Sequence, residues 1–253
     1  METETNEIKQ FKIVLNETNN LTCNIKTLSE FNLEAKFKLD SDGLYCLVMD
    51  SSNISMHEFK LYSNACIEYK LSEPFSFGIN LKSFYEILKT LKNSDMLKIY
   101  IEDNNLILEI VNKFSIIHKI PLLDIEYLKD QKMPELKFNT NIELEPITLK
   151  DILKVFKCSE SIKFNVTPGL INFESNNINV PIKDIKINTQ ESFITKYSAK
   201  YLYQLLNSRS NKTLKSESDL NISFNKDYPL KLVFNYPDKY VYRFILAPKI
   251  DND

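Results

Sequence analysis

Glycine is nearly missing from this chain. Its 253 residues include three, Gly43, Gly78 and Gly169. A Gly-rich phosphate loop, a dinucleotide-binding fingerprint and a nucleophile elbow all need glycines close together, so none can be written here. Histidine is scarcer still: His57 and His118 alone leave little for a catalytic triad or a zinc enzyme. The four cysteines, Cys23, Cys46, Cys66 and Cys158, are scattered with no Cys-x-x-Cys. Neither a metal site nor a disulfide framework is indicated, and free, mostly buried thiols in a reducing compartment are expected. No stretch approaches the ~18 apolar residues of a membrane span, and the polar, acidic METETNEIKQ is unlike a secretory signal. The expectation is a soluble intracellular protein with no cofactor, no metal and no membrane partner.

What is present is an ordinary folded composition, 43% hydrophobic and 26% charged, long enough to bury a core without staples. Lys+Arg 32 against Asp+Glu 34 leaves a net charge of −2, so any electrostatic function depends on where the charges sit.

The order of the segments repeats. Lys36-Phe37-Lys38-Leu39 turning to Gly43-Leu44 is matched by Lys163-Phe164-Asn165-Val166 turning to Gly169-Leu170, each a hairpin signal. Lys82 to Leu88 is matched by Lys200 to Leu206, both with the apolar spacing of an amphipathic helix. Leu97–Val111 is matched by Leu220–Phe234 as a pair of strands. Three matches in one order imply two copies of one domain. We read residues 1–119 as the first copy, 120–136 as a connector and 137–253 as the second. The fold class is α+β, with antiparallel sheets bearing helices on one face. The connector is unusually apolar, with Leu122, Leu123, Ile125, Tyr127, Leu128 and Met133. Those side chains either pack back onto a sheet or are offered to a partner.

Four helices are predicted, at Asn19–Ser29, Asn80–Lys92, Pro146–Cys158 and Ser198–Arg209. They carry +1, +2, +2 and +2, so these windows total +7 and the remaining residues −9. Lys150, Lys154 and Lys157 recur on one helical face, and Lys82, Lys89 and Lys92 do the same. Basic helices on an acidic body suggest a surface turned to a polyanion. Without a cluster of base-reading side chains, any contact with DNA would be to phosphate and independent of sequence.

Several strings resemble the sliding clamps of the proliferating cell nuclear antigen family. They are Gly43-Leu44 leading to Met49-Asp50-Ser51-Ser52, Gly78-Ile79-Asn80-Leu81, Leu123-Asp124-Ile125-Glu126 with Pro134-Glu135, Tyr228-Pro229-Leu230 and Leu246-Ala247-Pro248-Lys249-Ile250. The resemblance covers nearly the whole chain and marks a divergent member. It implies a ring-forming homotrimer, with two helices per domain lining a hole and antiparallel sheets outside. It further implies a processivity factor that encircles double-stranded DNA and tethers DNA polymerase, a clamp loader and other peptide-motif proteins, without catalytic residues. The expected localisation is nuclear in a eukaryotic cell, or the host nucleus or a cytoplasmic replication site for a virus.

Residue by residue, the resemblance places Lys26, Lys82, Lys89, Lys92, Lys150, Lys154, Lys157, Lys196, Lys200 and Arg209 toward DNA. A partner-peptide pocket would be formed by Met49, Asn53, Ile54 and Met56, by Leu128, Met133 and Pro134, and by Pro229, Ile245, Ala247 and Pro248. Subunits would pair edge to edge through Phe114, Ile116 and Ile117 on one copy and Ile178, Val180 and Ile182 on the next, where Pro181 removes a ladder donor. The turn Val166-Thr167-Pro168-Gly169 has no lysine where many relatives carry a ubiquitin-modified one, and Lys163 is a poor substitute, so that regulation is expected to be absent. Two alternatives stand beside this reading: a subunit of a checkpoint-type or heterotrimeric clamp, and an enzyme using the carboxylates of Asp124 and Glu126.

Overall fold

The computed structural model describes residues 10–124, 126, 128, 131–183, 185–189, 191–217 and 220–250. The chain divides into two compact units, one of residues 1–47, 60–130 and 238–240, the other of residues 48–59, 131–237 and 241–253.

In chain order the first half contains β1 (Phe11–Leu15), α1 (Asn19–Phe31), β2 (Glu34–Asp40), β3 (Gly43–Met49), β4 (Ser55–Tyr62), β5 (Glu68–Leu71), β6 (Phe75–Asn80), α2 (Leu81–Leu88), β7 (Met96–Glu102), β8 (Asn105–Val111) and β9 (Ser115–Pro121). The second half contains β10 (Thr140–Leu144), α3 (Pro146–Val155), β11 (Ser161–Thr167), β12 (Leu170–Ser175), β13 (Ile178–Lys183), β14 (Ile187–Asn188), β15 (Phe193–Ser198), α4 (Ala199–Ser208), α5 (Asn211–Ser216), β16 (Leu220–Phe224), β17 (Leu230–Tyr236) and β18 (Tyr240–Leu246). Strand order repeats with the sequence. The run β5-β1-β7-β8-β9 is matched by β14-β10-β16-β17-β18, and β4-β3-β2-β6 by β13-β12-β11-β15. The predicted duplication is therefore present in the topology.

Alternation creates these sheets. In β2 the side chains of Ala35, Phe37 and Leu39 are buried while those between them are not; β11 repeats the pattern with Ile162, Phe164 and Val166. Phe37 opposes Cys46 in the β2–β3 hairpin, as Phe164 opposes Phe173 in the β11–β12 hairpin. At the first turn the Asp40 carboxylate accepts from the amides of Asp42 (2.8 Å) and Gly43 (3.1 Å). Gly43 has φ +145°, and a Cβ there would sit 2.0 Å from the Leu61 carbonyl oxygen, so no other residue fits.

Each helix buries one face: Leu81, Phe84 and Leu88 in α2, Leu149, Ile152 and Leu153 in α3, Leu202, Leu205 and Leu206 in α4. Burying each such side chain contributes ~1.5–3 kcal/mol. α1 packs on α2, and α3 on both α4 and α5. Three helices end sooner than their sequence windows, α2 at Leu88, α3 at Val155 and α4 at Ser208, leaving Lys89, Lys92 and Lys157 beyond the last helical residue, whereas α1 runs on to Phe31. The periodicity of the sequence does not predict α5. Its start is capped by the Ser210 hydroxyl, which accepts from the Thr213 amide at 3.1 Å.

Candidate functional site

The predicted basic residues fall into three groups. Lys82, Lys89 and Lys92 in the first unit, and Lys154, Lys157 and Lys200 in the second, are exposed. Two of them carry acidic neighbours one turn away: Lys89 pairs with Glu86, and Lys154 with Asp151 at 2.7 Å. Lys157 lies over the Tyr203 ring, 5.9 Å from its centroid. The second group is partly buried. Lys26 and Lys196 are half-buried, and the Lys150 ammonium donates to the Arg209 carbonyl at 2.6 Å.

Arg209 overturns its sequence reading. It is 0% exposed, its guanidinium forms an ion pair with the equally buried Glu217, and it lies 4.4 Å and 4.9 Å from the ring centroids of Phe234 and Tyr242. A buried guanidinium needs such a partner because desolvating an unpaired charge costs several kcal/mol. Arg209 is thus a core residue and faces no nucleic acid. The sequence signal was weak: it immediately follows an amphipathic helix, where cations are commonly exposed. Exposed lysines do follow it, Lys212 and Lys215 on α5, which sequence reasoning missed.

The string Met49-Asp50-Ser51-Ser52 opens a loop built around one carboxylate. Asp50 accepts hydrogen bonds from the amides of Ser52 (3.0 Å), Ile54 (2.8 Å) and Ser55, and from the hydroxyls of Ser55 (3.2 Å) and Tyr201 (2.8 Å). Burial pushes its carboxyl up, but these donors outweigh burial and hold it below the ordinary carboxylate range. The loop turns at Asn53 with φ 56° and leaves Ile54 38% exposed. The Ala247 amide donates to the Ile54 carbonyl at 2.9 Å, so two predicted pocket elements meet. Of the residues assigned to the pocket, Met49, Met133, Pro229, Ala247 and Pro248 are half-buried, Met56 and Ile245 buried, and Asn53 and Pro134 exposed. A polar network lies beneath: buried His57 contacts the Ser55 hydroxyl through Nε2 at 3.0 Å and the Tyr242 hydroxyl through Nδ1 at 2.8 Å. Burial pushes His57 down to about 3. Nothing in the sequence marks it for a role.

The connector's first part packs back. The Leu123 amide donates to the Gly78 carbonyl at 2.8 Å, and a Cβ on Gly78 would lie 2.8 Å from Leu128 Cδ1 and 3.3 Å from Leu123 Cβ. Glycine is what lets these leucines approach the strand. Ile125 and Tyr127 lie outside the described residues. Asp124 and Glu126 are exposed, with the Glu126 amide on the Asp124 carboxylate at 2.9 Å, a local turn. Among the described residues no cluster of His, Cys, Asp and Glu suits a metal ion, and no helix is long and apolar enough to cross a membrane.

Among the described residues six strands end a sheet, and the two segments expected to pair between subunits are at two of them. β9 ends the five-stranded sheet, with Phe114 64%, Ile116 38% and Ile117 56% exposed at or beside it. β13 ends the four-stranded sheet, with Ile178, Val180 and Ile182 half-buried and Pro181 exposed. Large apolar side chains on a bare edge invite another strand. A polar cleft of ≈ 500 Å³ lined by Asn139, Thr140, Asn188, Thr189, Glu191, Phe193, Asn225 and Lys226 includes none of the predicted site residues.

Comparison with known proteins adds a second line. Residues 11–130 match the family described as "Proliferating cell nuclear antigen, N-terminal domain". The chain is 27% identical over 252 residues to the "DNA polymerase sliding clamp" of Pyrococcus furiosus, covering 95% of this chain and 99% of that protein. The crystal structure of the proliferating cellular nuclear antigen from Entamoeba histolytica superposes with a TM-score of 0.87 at 20% identity, covering 96% of this chain and all of that one. That from Thermococcus kodakaraensis gives 0.85 at 23% identity over 94% of this chain. A chain of the PCNA2-PCNA3 complex from Sulfolobus tokodaii gives 0.82 at 20% identity over 94% of this chain.

Proposed function

We propose, for a chain that belongs to the proliferating cell nuclear antigen family of DNA polymerase sliding clamps, that three copies close into a ring around duplex DNA. The observation that carries this reading is the pair of open edges, β9 with exposed Phe114, Ile116 and Ile117 and β13 with Ile178, Val180 and Ile182. Two different edges on one chain make a head-to-tail contact, which closes into a ring when the rotation permits. A closed ring need not grip its substrate. It stays on DNA because it cannot leave sideways, so the exposed lysines need only weak, mobile phosphate contacts. We assign that role to Lys82, Lys89, Lys92, Lys154, Lys157 and Lys200, with Lys26, Lys150 and Lys196 set deeper.

The loop at Asn53 and Ile54, with Ile245, Ala247 and Pro248, is assigned to docking a short peptide of polymerase, loader or repair proteins through its apolar side chains, an anchor-in-pocket mode. No bond of the DNA is made or broken by the ring itself. It works by raising the local concentration of enzymes at the template, wherever in the cell or virus factory replication proceeds.

Retention on nicked circular DNA, loaded by a purified clamp loader, tests the topology. Release on linearisation is expected; equal retention on circle and line would overturn it. Light scattering separates the assemblies. A stable ~30 kDa species at micromolar concentration would remove the homotrimer and favour a heteromeric ring, such as the mixed complex among the similar structures.

A further inference from the structure

His57, Ser55 and Tyr242 form a buried chain that ends on the carboxylate organising the exposed loop. The inventory of protons fixes its direction. Asp50 is an ionised carboxylate and can only accept, so the single Ser55 hydroxyl proton goes to Asp50 Oδ1 (3.2 Å). Ser55 Oγ must then accept from His57, which places the imidazole proton on Nε2 (3.0 Å). His57 Nδ1 is left bare and accepts the Tyr242 hydroxyl proton at 2.8 Å. All three relay side chains are buried: Ser55 1%, His57 0% and Tyr242 0% exposed. The His57 ring is held from one side by Phe244, 4.9 Å between centroids. Each bond polarises the next, and the last acceptor also receives the Ile54 amide at 2.8 Å.

Resting on the peptide-docking reading above, we propose that His57 is a positioning residue for peptide recognition: its Nε2-protonated imidazole transmits order from Tyr242 through Ser55 to Asp50, fixing Asn53 and Ile54 in their docking conformation.

The experiment measures binding of a fluorescent synthetic peptide carrying aliphatic and aromatic side chains on one helical turn. Wild-type chain should bind it, and Ile54→Ala with Ile245→Ala should not; no binding by wild type would overturn docking and relay together. Given wild-type binding, Tyr242→Phe, which keeps the ring that packs on Arg209, should weaken affinity about threefold, and His57→Leu about tenfold, the equivalent of ~1.4 kcal/mol. His57→Gln, which restores a donor toward Ser55 and an acceptor toward Tyr242, should return affinity to within about twofold of wild type. Unchanged affinity in both Tyr242→Phe and His57→Leu, or no rescue by glutamine, would overturn the relay while leaving docking intact. Nitrogen NMR of the wild type at neutral pH gives a readout that simple packing would not move: Nε2 protonated and Nδ1 bare is expected, and the opposite tautomer sinks the proposal. Tyr242→Phe also keeps the test open if His57→Leu fails to fold.

Discussion

Phe84 of α2 meets Phe37 edge-on at 6.2 Å; Phe37 stacks on Phe77 at 5.5 Å, and Phe77 on Phe11 at 5.6 Å. The first unit's interior, at this point, is a ladder of rings. The second unit has its own rings, with Phe164 against Phe173, Tyr197 and Phe224. Beside α4, however, it places the buried ion pair of Arg209 and Glu217, roofed by Phe234 and Tyr242. Strand order is shared while interior chemistry is not. Topology depends on which positions are apolar, and a duplicated fold tolerates a charged pair once both members are supplied together.

The largest expected effect tests that difference. Glu217→Ala should cost about 3–5 kcal/mol in urea unfolding by leaving Arg209 charged and unpartnered. Arg209→Met with Glu217→Leu should recover most of it; a double variant as weak as the single would show that the pair is required for more than charge compensation. The second expectation concerns acid. His57 has an ordinary pKa of 6.5 that is pushed down to about 3 in the folded chain, so the unfolded chain binds more protons between those values. Its stabilising contribution is whole above pH 6.5 and declines as pH falls toward 3, by up to about 1.4 kcal/mol per pH unit. Asp50, held below its ordinary range, acts in the same sense at lower pH. His57→Leu should flatten the slope between pH 6.5 and 4, read from unfolding midpoints, and an unchanged slope would place the titration elsewhere.

Helix starts sharpen the comparison on a smaller scale. Asn80 caps α2, its side chain accepting from the Ser83 amide at 2.9 Å, whereas Ser198 at the matching start of α4 makes no side-chain cap bond. Asn80→Ala should therefore cost about 1 kcal/mol, and Ser198→Ala less than about 0.5. Smallest in stability are the exposed pairs: Glu86→Gln and Asp151→Asn, which release Lys89 and Lys154, should move unfolding by under about 0.5 kcal/mol. Both should raise retention on DNA at low salt and steepen its salt dependence; a flat response would remove these lysines from the phosphate-facing set.

The duplication is legible in the sequence because it rests on local rules. Alternation in Ala35–Leu39 and Ile162–Val166, the Asp42-Gly43 turn and the spacing of Leu81, Phe84 and Leu88 act over a few residues. Helix ends are less so: α2 and α3 stop within the windows that periodicity and charge suggest, since lysines beyond the last turn satisfy a charge pattern without being helical. α5 escapes because six residues carry too little periodicity, although the Ser210 cap announces it. The loop around Asp50 can be named from its string, but not explained from it.

The sequence by itself determined the two copies, their α+β character and the surplus of lysine in and just beyond the helical segments, because those follow from periodicities of two and 3.6 residues and from counting charge. Only the tertiary structure decided which charges are spent inward. Arg209 and Lys150 look like Lys154 in the sequence, yet one is fully buried against Glu217 and another donates to a backbone carbonyl, partners that lie eight and fifty-nine residues away. His57 likewise meets Tyr242 across 185 positions. Desolvation acts through space, so the partner that decides a buried polar group's role is invisible until the chain has folded.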